Sequence, residues 1–338
     1  MSPGSKELLT STLRDVSRSF YLTLRVLPAA IRPQIGLAYL LARTTDTIAD
    51  TDLLPIAQRL DALKALRERI EGSGSGPLDF SSFVGQQGSS AECLLLENCE
   101  AALAELGRLS PADRDLVRRV LRTITSGQEL DLRRFTGASA THIVALQSDL
   151  ELDDYTYRVA GCVGEFWTRM CRAHLFPATA LDERELLANG VRFGKGLQLV
   201  NILRDLAKDL RQGRCYLPAE RLAGLDLQPG DLLEAGNERR LRPVYDGYLA
   251  RAEEHLKQGW IYTNTVPRRF LRVRLACAWP ILIGLETIEL LRTKAVLGNV
   301  APVKISRRRL RWLMLVSVVY YPCQGRWRAL VNPEPRAR

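Results

Sequence analysis

Paired cysteines, clustered histidines, long apolar runs and sustained strand-like alternation are all missing from this chain of 338 residues. Its seven cysteines are dispersed without a CxxC and its three histidines stand far apart, which excludes a disulfide framework and a zinc site. Such thiols read as buried groups in a reducing compartment. The most apolar late stretch, Trp312 to Tyr321, is too short to cross a bilayer. The opening MSPGSKELLTS has no charged start followed by an apolar core, so no signal peptide is expected and a cytoplasmic location is the default. No zinc-finger spacing or other nucleic-acid motif is present, so no nucleic-acid partner is expected.

What the chain does have is an ordinary globular balance, 46% hydrophobic and 25% charged, with length enough for a sizeable core. Positive charge exceeds negative by ten, and the excess gathers in RRFLRVR and KISRRRLR toward the C-terminus. That balance suits a polyanionic substrate or an anionic membrane surface, to which a greasy product would bring the protein peripherally. Apolar residues recur every three to four positions, which predicts an all-α protein. Helices are expected from Pro28 past Asp50 and near residues 91–107, 111–132, 152–174, 183–211, 242–263, 269–296 and 304–320. Residues 72–90, with GSGSGP and GQQGSS, read as a flexible loop, 212–241 as a connecting region, and 322–338 as a loose tail. Periodicity resumes on both sides of the loop, so residues 1–338 are expected to form one domain, a monomer or weak homodimer.

Two stripes of polar residues stand out. In QLVNILRDLAKD, Gln198, Asn201, Asp205 and Asp209 fall on one side of a helix, while Leu199, Val200, Leu203, Leu206 and Leu210 cover the other. A single stripe of this kind is also what an ordinary amphipathic helix with a solvated face shows. In RTTDTIAD, however, Arg43, Asp46 and Asp50 repeat the DxxxD spacing with an arginine nearby. Like charges four apart cost a helix roughly 0.2–0.5 kcal/mol. Two such pairs in a basic chain therefore point to a bound cation, and Mg²⁺, held by Asp46, Asp50, Asn201, Asp205 and Asp209, is the natural one. A diphosphate gripped through that metal would take further donors from Arg43, Arg204 and Gln198.

SRSF at Ser17–Phe20, the two DxxxD segments, YTYRVAGCVG in the middle and NILRDLAKDLRQGRCYLP later follow one another in an order that resembles the squalene and phytoene synthase family. The likeness runs from about Ser17 to Pro218 and more loosely to about Leu315. It implies a single helical bundle of the isoprenoid synthase type, with a central cavity flanked by two acidic helices. It also implies that Arg18 and Ser19 contact phosphate oxygens and that Phe20 touches a prenyl chain. Tyr155 matches the family's active-site tyrosine, with Tyr157 beside it; both also fit as core aromatics with bonded hydroxyls. Some squalene synthases have a further tyrosine before VAG where this chain has Arg158. The small residues Ala160, Gly161 and Gly164 would let two helices approach closely. SGQELDLRR, Ser126 to Arg134, resembles a segment where an amide and acids face the pocket. Gly213, Arg214 and Tyr216 match a segment that closes over the diphosphate, and equally suit a helix C-cap.

The activity implied is condensation of two farnesyl diphosphates to presqualene diphosphate, followed by reduction to squalene with NADPH. Lys304 and Arg307, three apart and expected on one helix face, match the basic stretch that meets the NADPH phosphates, although a solvated or membrane-facing run reads the same way. A phytoene or dehydrosqualene synthase would share the first step and need no reductant. Some relatives lose the acids and act as assembly factors for a respiratory complex, whereas all four aspartates are present here.

Overall fold

The computed structural model describes residues 20–51, 54–84, 90–177, 179–298 and 303–331, with side chains from Thr23 onward. Contacts divide the chain into two units, the first reaching Thr136 and including Glu165–Ala180, the second comprising Gly137–Gly164 and the residues from Leu181 on.

The first unit holds α1 (Phe20–Val26), α2 (Arg32–Asp50), α3 (Ile56–Glu71), α4 (Ser81–Val84), α5 (Ser90–Glu97), α6 (Cys99–Arg108) and α7 (Pro111–Arg134). Pro33 pre-sets the first turn of α2, and Ile35, Leu37, Leu40, Leu41 and Ile48 bury one side of it against α3, α6 and α7. The longest of these partners, α7, starts where the Ser110 hydroxyl accepts the Asp113 N–H and Pro111 takes the first position. Helix α3 is absent from the periodicity-based expectation, although Leu63, Leu66 and Ile70 give it a buried stripe and Gly72, at φ +83°, ends it. The stretch expected to be a flexible loop is partly packed. Phe80 and Phe83 are buried edge to face, 6.0 Å between centroids, and α4 lies on α5; residues 85–89 lie outside the described residues. Both flanks of that stretch belong to this first unit.

The second unit opens with β1 (Val144–Ala145), α8 (Asp149–Thr156), a π-helical turn at Tyr157–Gly161 and the start of α9 (Cys162–His174), whose residues from Glu165 belong to the first unit. It continues with α10 (Glu183–Arg211), β2 (Arg214–Cys215), α11 (Ala219–Ala223), two 3-10 turns, α12 (Glu238–Thr265), α13 (Leu271–Thr293), α14 (Arg307–Tyr320) and α15 (Gln324–Arg328). Helix α10 is the centre of this unit and packs along α12, α13 and the π-helical turn. All-α is thus the observed class; the only strands among the described residues are the parallel pair β1–β2. None of the described helices is long and apolar enough to cross a membrane.

Of the expected loose tail, residues 322–331 are packed, and residues 332–338 lie outside the described residues. Trp327 is 2% exposed, stacks on Trp260 at 4.9 Å, meets Tyr321 edge-on at 4.9 Å and donates its indole N–H to Asn264 at 2.9 Å. Composition hid this because the stabilising rings lie far back in the chain.

Glycine sets how closely α10 approaches its neighbour. A Cβ at Gly164 would sit 1.8 Å from the Gly190 carbonyl oxygen, and one at Gly194 would sit 2.1 Å from that of Ala160. Both obstacles are backbone, so neither can swing away. Gly194→Ala is expected to destabilise the protein by about 2 kcal/mol or more. Gly247→Ala, in the middle of α12 with nothing within 4 Å of the new methyl, is expected to stabilise it by roughly 0.5–1 kcal/mol. Thermal denaturation of the two variants beside wild type checks the opposite signs.

Candidate active site

In the first unit, the acidic stripe of α2 is built around Asp46. Arg43, one turn earlier, donates to Asp46 Oδ2 at 3.3 Å and with its other terminal nitrogen to Glu92 of α5 at 3.2 Å. Gln128 of α7 donates to Asp46 Oδ1, and next to it Glu129 takes a 2.6 Å ion pair from Arg67. Asp50 lies one turn on, exposed. The Asp46 side chain keeps 40% of its surface accessible, so an ion can reach it. Even so, the protein around its carboxyl pushes its pKa up to about 6; Arg43 opposes this burial and the neighbouring Asp50 charge adds to it. Burial also works against the Arg43 guanidinium, but Asp46, Tyr39, Asp50 and Glu92 together outweigh it and hold the pKa above its ordinary value.

Gln128 Oε1, on the amide that donates to Asp46, is buried without a hydrogen-bond partner. An oxygen in want of a donor or cation, on a side chain bonded to a carboxylate that ionises reluctantly, fits a hard ion such as Mg²⁺. Among the described residues no three His, Cys, Asp or Glu side chains converge on one point.

The second unit presents the stripe of α10. This helix starts where Asp182 accepts the Glu185 N–H and buries Leu199, Val200, Ile202, Leu203, Leu206 and Leu210, leaving Gln198, Asn201, Arg204, Asp205 and Asp209 half-buried. Behind it, the Tyr245 hydroxyl donates to the Leu203 carbonyl at 2.9 Å and fixes the rotation of the helix. Arg204 grips Asp205 with two bonds, 2.9 and 2.6 Å, and that pairing raises the arginine further above its ordinary range. Asn201 donates to Gln198 at 3.4 Å, and Gln198 to the Tyr155 hydroxyl at 3.5 Å. The Tyr155 ring lies 4.6 Å from that of Tyr216 at an interplanar angle of 31°. Two backbone bonds, Val144 N–H to Gly213 and Leu146 N–H to Cys215, hold the strand that delivers Arg214 and Tyr216. Beside them, burial pushes the Cys215 thiol up to about 12, so it is no nucleophile.

The sequence candidates therefore divide. Tyr155, Tyr216, Gln198 and Asn201 form one connected set, and Arg204 and Asp205 pair with each other further along the same helix, with Asp209 one turn beyond and Arg214 at the strand. Tyr157 does not join it: two positions along a helix point away from one another, and its ring lies under the Lys195 ammonium at 5.8 Å. Lys195 in turn pairs with Asp153 at 2.7 Å, and Arg158 pairs with Asp154 at 2.9 Å. Arg18 and Ser19 lie outside the described residues, as does the side chain of Phe20. Lys304 and Arg307 are both exposed but do not share a helix face, because α14 begins only after the Ser306 cap and Lys304 precedes it. Glu92 is not among the residues that the sequence singles out. No local pattern marks it, since it reaches Asp46 only through Arg43, 49 residues earlier.

The sequence model for squalene/phytoene synthases matches residues 13–313. The chain belongs to the squalene/phytoene synthase family. Similar proteins include the 15-cis-phytoene synthase of Synechocystis, 28% identical over 74% of this chain and 66% of its own length. The squalene synthase of Saccharomyces cerevisiae is 26% identical over 94% of this chain and 67% of its own, and the presqualene diphosphate synthase of Sinorhizobium fredii 28% over 75% and 77%. This chain thus spans about two thirds of the length of the first two. The fold is that of the solved complex of TcSQS with a ligand, with a TM-score of 0.76 at 20% identity over 97% of both chains.

The raised pKa of Asp46 has a stability consequence. Between its ordinary value of 3.8 and the folded value of about 6, the folded protein keeps a proton that the unfolded chain has lost, so this group costs stability as pH rises through that window. Asp46→Asn, which cannot ionise, is expected to melt higher than wild type at neutral pH, with the gap closing as the pH falls toward 3.8. Melting curves across that range check it, and a gap independent of pH would contradict it.

Proposed function

We propose that this protein is a Mg²⁺-dependent prenyl transferase that joins two farnesyl diphosphates head to head into presqualene diphosphate and reduces it with NADPH to squalene. The observation that supports this reading most is the repetition of one device: in each unit a helix carries a DxxxD pair, an adjacent arginine and a neighbouring amide. Each such stripe offers carboxylates for metal and guanidinium donors for diphosphate.

Bound Mg²⁺ supplies charge neutralisation for a departing diphosphate. Asp46 and Asp50, and likewise Asn201, Asp205 and Asp209, are the groups to hold it. Arg43 and Arg204 offer N–H donors to the phosphate oxygens, with Arg214 as a further cation near the strand. Gln198 and Asn201, tied to each other and to Tyr155, orient what lies against the stripe. The tilted rings of Tyr155 and Tyr216 present π faces, which attract an allylic cation once the carbon–oxygen bond has broken. Apolar side chains around a prenyl tail keep water from quenching that cation. NADPH supplies a hydride, and exposed Lys304 and Arg307, in a stretch without acidic residues from 294 to 331, are the groups to hold its phosphates. Such chemistry on greasy substrates belongs at the cytoplasmic side of a membrane.

A second reading has support in the identities themselves: phytoene and presqualene diphosphate synthases match at 28% where the yeast squalene synthase matches at 26%. Release of phytoene, dehydrosqualene or presqualene diphosphate would leave out the reductive step. The non-catalytic assembly role is disfavoured by the intact acids. Incubation with farnesyl diphosphate and Mg²⁺, with and without NADPH, separates these cases. Squalene only with NADPH, and presqualene diphosphate without it, is the expected result; dehydrosqualene in both tubes would remove the reduction. Asp205→Asn is expected to lower turnover by about a hundredfold or more with the helical circular dichroism unchanged. Normal turnover at saturating Mg²⁺ would refute the role given to the α10 stripe.

A further inference from the structure

Helix α14 is held to the second unit by one side only. Leu313 and Ser317 are buried, the Trp279 indole donates to Ser317 at 3.0 Å, and Arg309 pairs with Glu286 of α13 while its guanidinium lies 4.2 Å over the Trp312 ring. The opposite side faces solvent and is not what a solvated helix shows. Trp312, Leu315, Val318 and Val319 expose 41%, 62%, 46% and 59% of their surface, and at 100° per residue they fall on one flank with Arg308 and Arg311. Four large apolar side chains together on an exposed flank mark a surface that meets something.

Charge decides what it meets. From residue 294 to 331 the chain has eight lysines and arginines and no aspartate or glutamate. An isologous contact with a second copy would bring these cations against one another, whereas anionic lipid headgroups would pair with them. The order along the helix agrees: its arginines lie at 307–311 and its bare apolar residues from 312 on. Arginine stems can lie along apolar surface while their heads reach phosphates, and an indole prefers the headgroup boundary. We propose that the outward face of α14 is a membrane-docking surface: the helix lies in the plane of an anionic bilayer, with Trp312, Leu315, Val318 and Val319 below the headgroups and Arg308 and Arg311 among them. This attachment needs no spanning helix and is independent of the reaction proposed above.

The test is co-sedimentation of the full chain with vesicles of phosphatidylcholine alone or mixed with phosphatidylglycerol, at low and high salt. The expected outcome is binding to the anionic vesicles that weakens with salt, as a screened headgroup attraction must. The pair Leu315→Asp with Val319→Asp should weaken partitioning by about tenfold or more, and Arg308→Glu with Arg311→Glu should do the same and abolish the salt dependence. These side chains are exposed, so circular dichroism and melting should match wild type. Wild-type tryptophan emission should shift blue on anionic vesicles, and Trp312→Phe should lose that shift. Absence of binding to anionic vesicles, or equal binding by wild type and both variants, would overturn the proposal. So would a lipid-free dimer in sedimentation velocity that Leu315→Asp dissociates, because the occupant would then be a second copy. Turnover enters none of these readouts, so failure here and failure of the proposed reaction are told apart.

Discussion

Two carboxylates four residues apart on a helix repel one another, and the protein arranges an arginine beside each such pair without fully cancelling the charge. The two units solve this differently. On α10, Arg204 holds Asp205 with two of its nitrogens and also feels the Asp209 charge. On α2, Arg43 is divided between Asp46 and Glu92, and the carboxylate it shares is left partly desolvated and difficult to ionise. Segments that look alike as sequence thus differ in electrostatics: on one stripe a single aspartate is gripped by two bonds from its arginine, while on the other the arginine is shared and Asp46 keeps an unmet demand for positive charge. Metal binding at Asp46 would meet that demand directly, whereas at Asp205 it would have to compete with a guanidinium.

Holding such stripes in place requires helices that cannot rotate. For α10 the constraint is backbone against backbone, with the carbonyls of Ala160 and Gly190 pressed where no side chain fits. The π-helical turn at Tyr157–Gly161 is part of the same contact, and its extra residue changes the helix phase just after Tyr155. Tyr155 accordingly faces Gln198 and Tyr216, and Tyr157 faces Lys195. The small residues of VAGCVG serve the aromatic pair by fixing where its helix lies.

Much of this is legible in the amino-acid sequence alone. The stripe of α10 and its buried reverse follow from helical period, and the close approach at Gly164 follows from side-chain size. Most of what is hidden there shares one physical cause: it depends on partners distant in the chain. Glu92 and Gln128 acquire meaning only when α5 and α7 lie against α2. The tail reads as loose because Trp327 finds Trp260 and Asn264 more than sixty residues back. Helix α3 is a different kind of omission, because its leucine spacing and its glycine cap are local signals. The expected common face for Lys304 and Arg307 fails for a local reason too, since Ser306 caps the helix between them.

The aromatic pair bears on which part of a tyrosine matters. The Tyr155 hydroxyl lies within reach of the Gln198 amide, whose partner Asn201 belongs to the acidic stripe, so that phenol is engaged at one end while its ring is tilted against Tyr216. Arg158, three residues on, pairs with Asp154. Of the functions a tyrosine can offer to a cationic reaction, proton removal and π stabilisation, the arrangement favours the second. The face of an aromatic ring attracts positive charge without taking a proton, and so stabilises a cation without ending its reaction. A site built in this way could pass an allylic cation on to another bond-forming step, as the head-to-head condensation proposed above would require.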